Sequence, residues 1–256
     1  MVRKQILVLG IGVFVSIACG DPEFSGDTDS HHGDAGDGGL DGSVSGEGDD
    51  TDAENGDDNG LPECGEVVVF PDGALEEAVR EAIDVSEGDI ERSALLELET
   101  FEAQDLGISD PTGVHCMTNL TSLDLDFNNI AEISAISPLK KLVELDLNNN
   151  LIDDISALSG LTNLEDVDLD NNSISDLSPL SGLEALSVIQ LDYNEVSDLS
   201  PLVDSETIGE GDEVWVRGNA FDCEDQSTLD DIAALEERGV ALYDPCNNTP
   251  IASANR

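Results

Sequence analysis

The chain of 256 residues carries 58 Asp and Glu against 9 Lys and Arg, a formal net charge of −49 at pH 7. This balance excludes nucleic-acid binding, because phosphate contacts need clusters of Lys and Arg. It also disfavours anionic lipid and polyanionic glycan surfaces, and leaves cationic partners, divalent cations or a saline habitat as the implied surroundings.

Residues 1–18 have the features of a secretory signal peptide. Basic residues precede an apolar run from Ile6 to Ala18, which is shorter than the roughly 20 residues of a membrane-spanning helix. The run ends before Cys19 in a sequence that resembles a bacterial lipobox, although Ser16 stands where an aliphatic residue is usual. We therefore predict that Cys19 begins the mature chain and carries a lipid anchor that does not span the membrane. The alternative is an ordinary secretory signal with an incidental cysteine.

Residues 19–63 are predicted to form an acidic, disordered linker. From Asp21 to Gly60 there is no Lys or Arg, and Asp, Glu, Gly and Ser dominate, so the segment cannot bury enough apolar surface to fold. The Asp-Gly pairs at 34–39 suggest a calcium loop, but they lack the ligand spacing and terminal Glu of an EF-hand. His31 and His32 have no further nitrogen ligands near them in the sequence, so we predict no metal site there.

Residues 64–97 are predicted to form an N-terminal cap. The apolar stretch Val67–Phe70 indicates a short strand, and the spacing of Leu75 and Val79 indicates a helix. Asp72 precedes that helix, where its side chain would cap the first backbone N–H groups.

A motif with a period of 22 residues occupies residues 98–221. It reads Leu-x-Leu-x-x-Asn-x-Ile, and its regular copies begin at Leu123, Leu145, Val167 and Ile189. The alternation in Leu-x-Leu predicts a strand with one buried face, and the apolar residues that then come three apart favour tight 3₁₀ turns. Because one coil cannot bury its own apolar side, the coils must stack into a parallel sheet. The asparagine of each motif, if buried, needs backbone partners from adjacent coils.

The motif resembles the internalin-type leucine-rich repeats of bacteria, most plainly from Leu120 to Leu139, and the resemblance covers residues 64–246. It implies an α/β solenoid with a parallel β-sheet on the concave face and return legs of 3₁₀ turns and loops. A helical cap would close the N-terminal end, and a cap stapled by a disulfide would close the C-terminal end.

Residues 222–246 are predicted to form that C-terminal cap, and residues 247–256 a tail. The spacing from Leu229 to Leu235 indicates a helix that ends near Gly239, followed by a strand at 240–243. Together they would act as a lid over the last coil.

Four cysteines remain once one is assigned to the lipid, and they allow three pairings. Pairing Cys64 with Cys116, and Cys223 with Cys246, would staple each end of the solenoid, where fraying begins. A zinc site is the rival interpretation, but there is no Cys-x-x-Cys and His115 is the only nearby histidine.

The residues that flank each buried Leu of a strand should point away from the core. Asp124, Asp146 and Asp168 hold equivalent positions on successive strands, which places them about 5 Å apart. Like charges at that spacing repel each other, so the ladder is either tolerated by solvent or compensated by something bound. The sequence leaves both interpretations open.

Trp215 and Arg217 fall on the same outward positions, and Tyr193 ends the preceding strand. Trp, Tyr and Arg are the residues most enriched among interface hot spots. We predict a protein-binding site formed by Asp124, Asp126, Asp146, Asp168, Asp170, Gln190, Asp192, Tyr193, Trp215 and Arg217. The alternative is that Trp215 packs under the C-terminal cap while Arg217 merely pairs with Asp192.

Motifs for nucleophilic, metal-dependent or phosphate chemistry are missing from the sequence, and only three His are present. We predict a protein that is not an enzyme, needs no cofactor and is monomeric. It would sit in the bacterial cell envelope, as an outer-membrane lipoprotein or at the cell surface, or else be secreted. Its function would be to bind a basic protein partner through the acidic sheet. The alternative is a structural envelope component that binds calcium, and the similar repeats of intracellular phosphatase regulators are disfavoured by the signal peptide.

Overall fold

The computed structural model describes residues 61–243 and Cys246. The predicted signal peptide, the lipid-bearing Cys19, most of the linker with its Asp-Gly pairs and histidines, and the tail at 247–256 lie outside these residues.

Strands of three residues, one from each coil, form a parallel sheet. The strands are β1 (Thr100–Glu102), β2 (Ser122–Asp124), β3 (Glu144–Asp146), β4 (Asp166–Asp168), β5 (Val188–Gln190), β6 (Glu213–Trp215) and β7 (Ala241–Tyr243). Within the described residues their order in space is their order in the chain. The central residue of each strand is buried, so the first and third residues share the opposite face.

The return legs are tight, as the spacing of three predicts. 3₁₀ turns form at Val114–Cys116, Ser134–Ile136, Ser156–Leu158 and Ser178–Leu180. In the coil after β5 the equivalent segment is a short α-helix, α3 (Ser200–Asp204). Leucine and isoleucine side chains from the strands and the return legs meet in one continuous core, which confirms the solenoid.

The recurring asparagine forms a buried ladder between coils. Asn150 is 6% exposed, and its Oδ1 accepts from Ile130 N at 3.0 Å. Its Nδ2 donates to Leu125 O and Leu147 O, both at 3.0 Å. The same pattern recurs at Asn128, Asn172, Asn194 and Asn219. The prediction that backbone groups of adjacent coils satisfy this residue is confirmed.

The N-terminal cap contains two helices, α1 (Gly73–Ala82) and α2 (Arg92–Leu95). Asp72 caps α1, because its Oδ1 accepts from Ala74 N and Leu75 N. The strand predicted at Val67–Phe70 is wrong: the described chain forms only an isolated antiparallel bridge there, between Val67 and Glu91. Phe70 instead turns into the core, and its ring occupies the space that a side chain at position 113 would need.

The C-terminal cap consists of α4 (Gln226–Glu237) and β7. The helix is the one predicted. The strand pairs in parallel with β6, in register from Glu213 to Trp215. It therefore extends the sheet by one strand, and Leu235 and Leu242 join the continuous core, as expected of a lid over the last coil.

Both predicted disulfides are present. Cys64 bonds to Cys116 and Cys223 bonds to Cys246. His115, next to the first bridge, is buried, and its ring bonds to Gly113 N and Pro62 O. Structural disulfides persist in oxidising compartments outside the cytoplasm. Within residues 61–243 no helix is both long and apolar enough to cross a membrane.

Candidate protein-binding face of the sheet

The side chains that point away from the core define one surface, here called the sheet face. Its residues form three rows that cross the strands. The central row runs Glu102, Asp124, Asp146, Asp168, Gln190, Trp215 and Tyr243. The row at the start of the strands runs Thr100, Ser122, Glu144, Asp166, Val188, Glu213 and Ala241. The row two residues beyond the central one runs Gln104, Asp126, Asn148, Asp170, Asp192 and Arg217. The sheet face is thus acidic over β2 to β4 and aromatic at β6 and β7.

Carboxylates in the acidic part are partly withdrawn from water. Burial, together with the charges of Asp146, Asp170 and Asp166, raises the pKa of Asp168 to about 7. Burial, followed by the charge of Asp192 among other effects, raises the pKa of Asp170 to about 6. The pKa values of Asp146 and Asp166 are raised by the same cause, burial first. A fully solvated acidic surface would leave these groups near their ordinary values. The ladder therefore costs the folded protein free energy at neutral pH.

Three carboxylates at the β2–β3 end lie close enough to share one cation. Asp124, Asp126 and Asp146 each offer an oxygen, and these oxygens lie within 4.8 Å of one another. Asp126 Oδ1 is shielded from solvent and has no hydrogen-bond partner among the described residues. Burial and the charges of its two neighbours raise the pKa of Asp126 to about 6.

Arg217 forms an ion pair with Asp192. The carboxylate is almost fully buried, and its Oδ2 accepts from Arg217 Nε at 2.8 Å while its Oδ1 accepts from Arg217 N at 2.8 Å. Asp170 Oδ1 accepts from Asp192 N at 2.6 Å, which joins the pair to the acidic part. The alternative interpretation from the sequence, in which Arg217 pairs with Asp192, is therefore confirmed for Arg217.

Trp215 does not pack under the C-terminal cap. It is partly exposed, and its ring stacks on Tyr243 with centroids 3.5 Å apart and planes 15° from parallel. The guanidinium carbon of Arg217 lies 4.8 Å from the Trp215 ring centre and 5.8 Å from that of Tyr243. The prediction that Trp215 and Arg217 share the sheet face is therefore confirmed in geometry.

Tyr243 is the sheet-face residue that the sequence analysis missed, because it was assigned to the cap. A signal was available: the pair Leu242-Tyr243, apolar then aromatic, repeats Val214-Trp215, and Val240 precedes it at the alternating apolar position. Reading the pair as one more strand of the sheet would have put Tyr243 beside Trp215.

Tyr193 lies elsewhere than predicted. It comes after β5, not at its end, and it adopts a φ of 58° with 62% of its surface exposed. Its ring packs over Gly218, and its N–H donates to Arg217 O at 2.7 Å. It therefore borders the aromatic end of the sheet face without joining the Trp215 stack.

A shallow hollow opens over β2 to β5, lined by polar side chains such as Ser122, Glu144, Asp166, Asp168 and Gln190. Its volume, about 230 Å³, is below the roughly 300–1,000 Å³ of pockets that enclose small molecules. It suits a side chain or two of a partner rather than a whole substrate. The chemistry that the hollow offers is recognition of cationic groups.

Comparison with known proteins agrees with this architecture. A family model described as leucine-rich repeats in two copies matches residues 118–160 and 162–204. The structure is similar to that of an internalin (inlF) of Listeria monocytogenes, with 27% identity and a TM-score of 0.55. That alignment covers 68% of this chain and spans 56% of the length of the internalin.

Internalin C2 (inlC2) of the same organism is also similar, with 27% identity and a TM-score of 0.50 over 72% of this chain and 92% of that one. No curated protein sequence matches the chain significantly.

Proposed function

We propose that this chain, a leucine-rich repeat protein of the internalin type, is an exported binding protein that grips another protein through its sheet face. One observation carries the proposal: an aromatic stack with an ion-paired Arg stands beside a partly desolvated row of carboxylates. Trp, Tyr and Arg supply most interface hot spots. The core does not use these side chains, since Val214, Val216 and Leu242 fill it from the same strands.

The partner that fits is a protein with a basic surface. Complementary charge steers such a partner to the sheet and fixes its register. Bringing cations against Asp146 and Asp168 would also offset the burial and the repulsion that raise their pKa values. Binding, rather than catalysis, is the role that an open and shallow surface supports best.

Binding of a protein can be tested by site-specific photo-cross-linking in the source cells. A photoreactive residue would replace Ser122 on the sheet face or, as a matched control, the exposed Ser181 on a return leg. We expect a protein adduct from position 122 and none from position 181. An adduct from position 181 alone would place the interface on the opposite side and refute the proposal.

For localisation, we propose attachment to the cell envelope, as an outer-membrane lipoprotein or at the cell surface, through lipid on Cys19. Support comes from the apolar run that stops at Cys19 and from the two disulfides, which suit an oxidising compartment. Cys19→Ala should move the protein from the membrane fraction to the medium or block its maturation. A wild-type protein that is freely secreted would refute the anchor and leave secretion as the outcome.

A second candidate function is calcium binding within a structural envelope component. It is favoured by Asp126 Oδ1, which has no hydrogen-bond donor in the described chain although two other carboxylates approach it. Calcium takes oxygen ligands and prefers clustered carboxylates. Calcium at physiological salt should then raise the Tm of the wild type but not that of Asp126→Asn. An equal Tm with calcium and with chelator would reject this function.

A further inference from the structure

Trp215 is partly exposed, and one face of its ring looks along the sheet toward the acidic part. Trp215 and Tyr243 occupy neighbouring strands and stack face to face, so Tyr243 covers one face of the indole. Gln190 lies on the other side, one strand away, and Asp168 lies one strand further. At about 4.8 Å per strand, the Gln190 side chain stands between the indole and Asp168, so a group that reaches both must occupy the space above it, in the hollow that Gln190 and Asp168 line.

The polar groups around this space retain hydrogen-bonding atoms that the described chain does not use. Within residues 61–243, neither the Trp215 indole N–H nor the Gln190 side-chain amide makes a hydrogen bond. Asp168 uses only Oδ1, which accepts from Asp170 N. A donor that entered between Trp215 and Asp168 would meet free acceptors on Gln190 and Asp168.

The protein does not fill the space with a cation of its own. Arg217 is the one basic residue in the three rows of the sheet face, and Asp192 holds it. Its guanidinium carbon is 4.8 Å from the Trp215 centroid and 5.8 Å from that of Tyr243, while the two centroids are 3.5 Å apart. These distances place Arg217 beside the ring edges and not over the indole face toward Gln190.

We infer that the partner lays an arginine side chain across Gln190, with its guanidinium against the exposed part of Trp215 and hydrogen-bonded to Asp168. This inference rests on the proposed function and names the chemistry of the partner's contact. A guanidinium is flat, stacks on indole and binds carboxylate with two N–H groups, whereas a lysine ammonium does only the electrostatic part.

A sugar ring fits this geometry less well. Stacking of a neutral sugar needs a broad and accessible aromatic face, but Trp215 is only partly exposed, and Gln190 and partly desolvated carboxylates border it. A guanidinium in that place would stabilise the ionised form of Asp168. Its pKa, raised by burial to about 7, would fall on binding, and protons would be released near neutral pH.

The inference is tested on the full chain by the fluorescence of Trp215, the single Trp of the sequence. The probes are a short arginine–glycine peptide, its lysine and glutamate counterparts, and a neutral oligosaccharide. We expect the arginine peptide to change Trp215 emission and to bind about tenfold more tightly than the lysine peptide, the size expected for a partly desolvated cation–π contact.

Variants separate the specific contact from general attraction. Asp168→Asn should weaken the arginine peptide by about tenfold, whereas Asp153→Asn, an equal charge change at an exposed return-leg position, should not. By anisotropy of labelled peptide, Trp215→Phe should retain part of the preference for arginine and Trp215→Leu should lose it. Thermal melts of each variant identify any that fail to fold.

Three outcomes would overturn the inference. They are equal affinity for the arginine and lysine peptides, equal effects of the two Asp variants, and quenching by the oligosaccharide but not by the arginine peptide. If Ser122 cross-links to a protein while the arginine peptide leaves Trp215 unchanged, the arginine contact fails and the proposed function stands. If only the return-leg position cross-links, the proposed function itself fails.

Discussion

Replacing Asn150 with Ala should show how much the asparagine ladder contributes to stability. The side chain is 6% exposed and makes three bonds at 3.0 Å, to Ile130 N, Leu125 O and Leu147 O. The Ala variant would leave Ile130 N without a partner in the core, whereas Leu125 O and Leu147 O would keep the amides of Asn128 and Asn172. An unpaired buried donor costs about 1–3 kcal/mol and each of the two lost amide bonds roughly 0.5–1.5 kcal/mol, so we expect a loss of roughly 2–4 kcal/mol in the free energy of unfolding.

The measurement is urea denaturation of the full chain, followed by circular dichroism and by Trp215 fluorescence. Asn129→Ala is the matched control, because Asn129 belongs to the preceding coil, is exposed and makes no side-chain hydrogen bond among the described residues. It should change the free energy of unfolding by less than about 0.5 kcal/mol, as surface substitutions usually do. Equal effects of the two variants would show that the ladder is not what joins the coils.

Two further predictions concern pH and a glycine. Burial in the folded state raises the pKa of Asp168 from 3.8 to about 7. The folded chain therefore keeps a proton that the unfolded chain releases above about pH 4. The free energy of unfolding should fall as the pH rises from about 4 to about 7. Asp168→Asn should raise the Tm at pH 8 but not at pH 4. A Tm of the wild type that rises between pH 4 and pH 7 would contradict the predicted direction. Gly218→Ala should cost about 1–2 kcal/mol by chemical denaturation, because φ is +72° and the new methyl would meet the Tyr193 ring at 2.5 Å. Gly182→Ala, with open space and no positive φ, is its control and should be neutral.

The repeated part of the fold could be predicted from the sequence because each position there has one physical role. Leu145 and Leu147 alternate with polar residues, and both are buried. Ile152, Ile155 and Leu158 come three apart, and they too are buried around a 3₁₀ turn. Because the pattern recurs at a fixed period, every copy gives the same register for its strand, and the predicted register of the sheet was correct.

The ends could not be predicted as well, because there each segment occurs once. Val67–Phe70 has the composition of a strand, but a strand needs a partner and the described chain offers it only Glu91. The strand at β7 was expected, but its pairing was not, since composition does not show whether a terminal strand lies over a sheet or beside it. The pairing of β7 with β6 determines the composition of the candidate site, because it places Tyr243 next to Trp215.

The order of residue types along the sheet face supports its proposed role in binding more strongly than its charge alone does. Along the central row the residues change from acidic at Asp124 and Asp168, through Gln190, to aromatic at Trp215 and Tyr243. The core positions of these strands remain aliphatic throughout, so packing does not require the change. A uniform acidic ladder would let a basic partner slide by one strand at little cost, whereas a row with one aromatic end allows a single register. A partner with an arginine at one end of a basic segment would match that row in only one position, and specificity of this kind arises from the penalty on the alternatives.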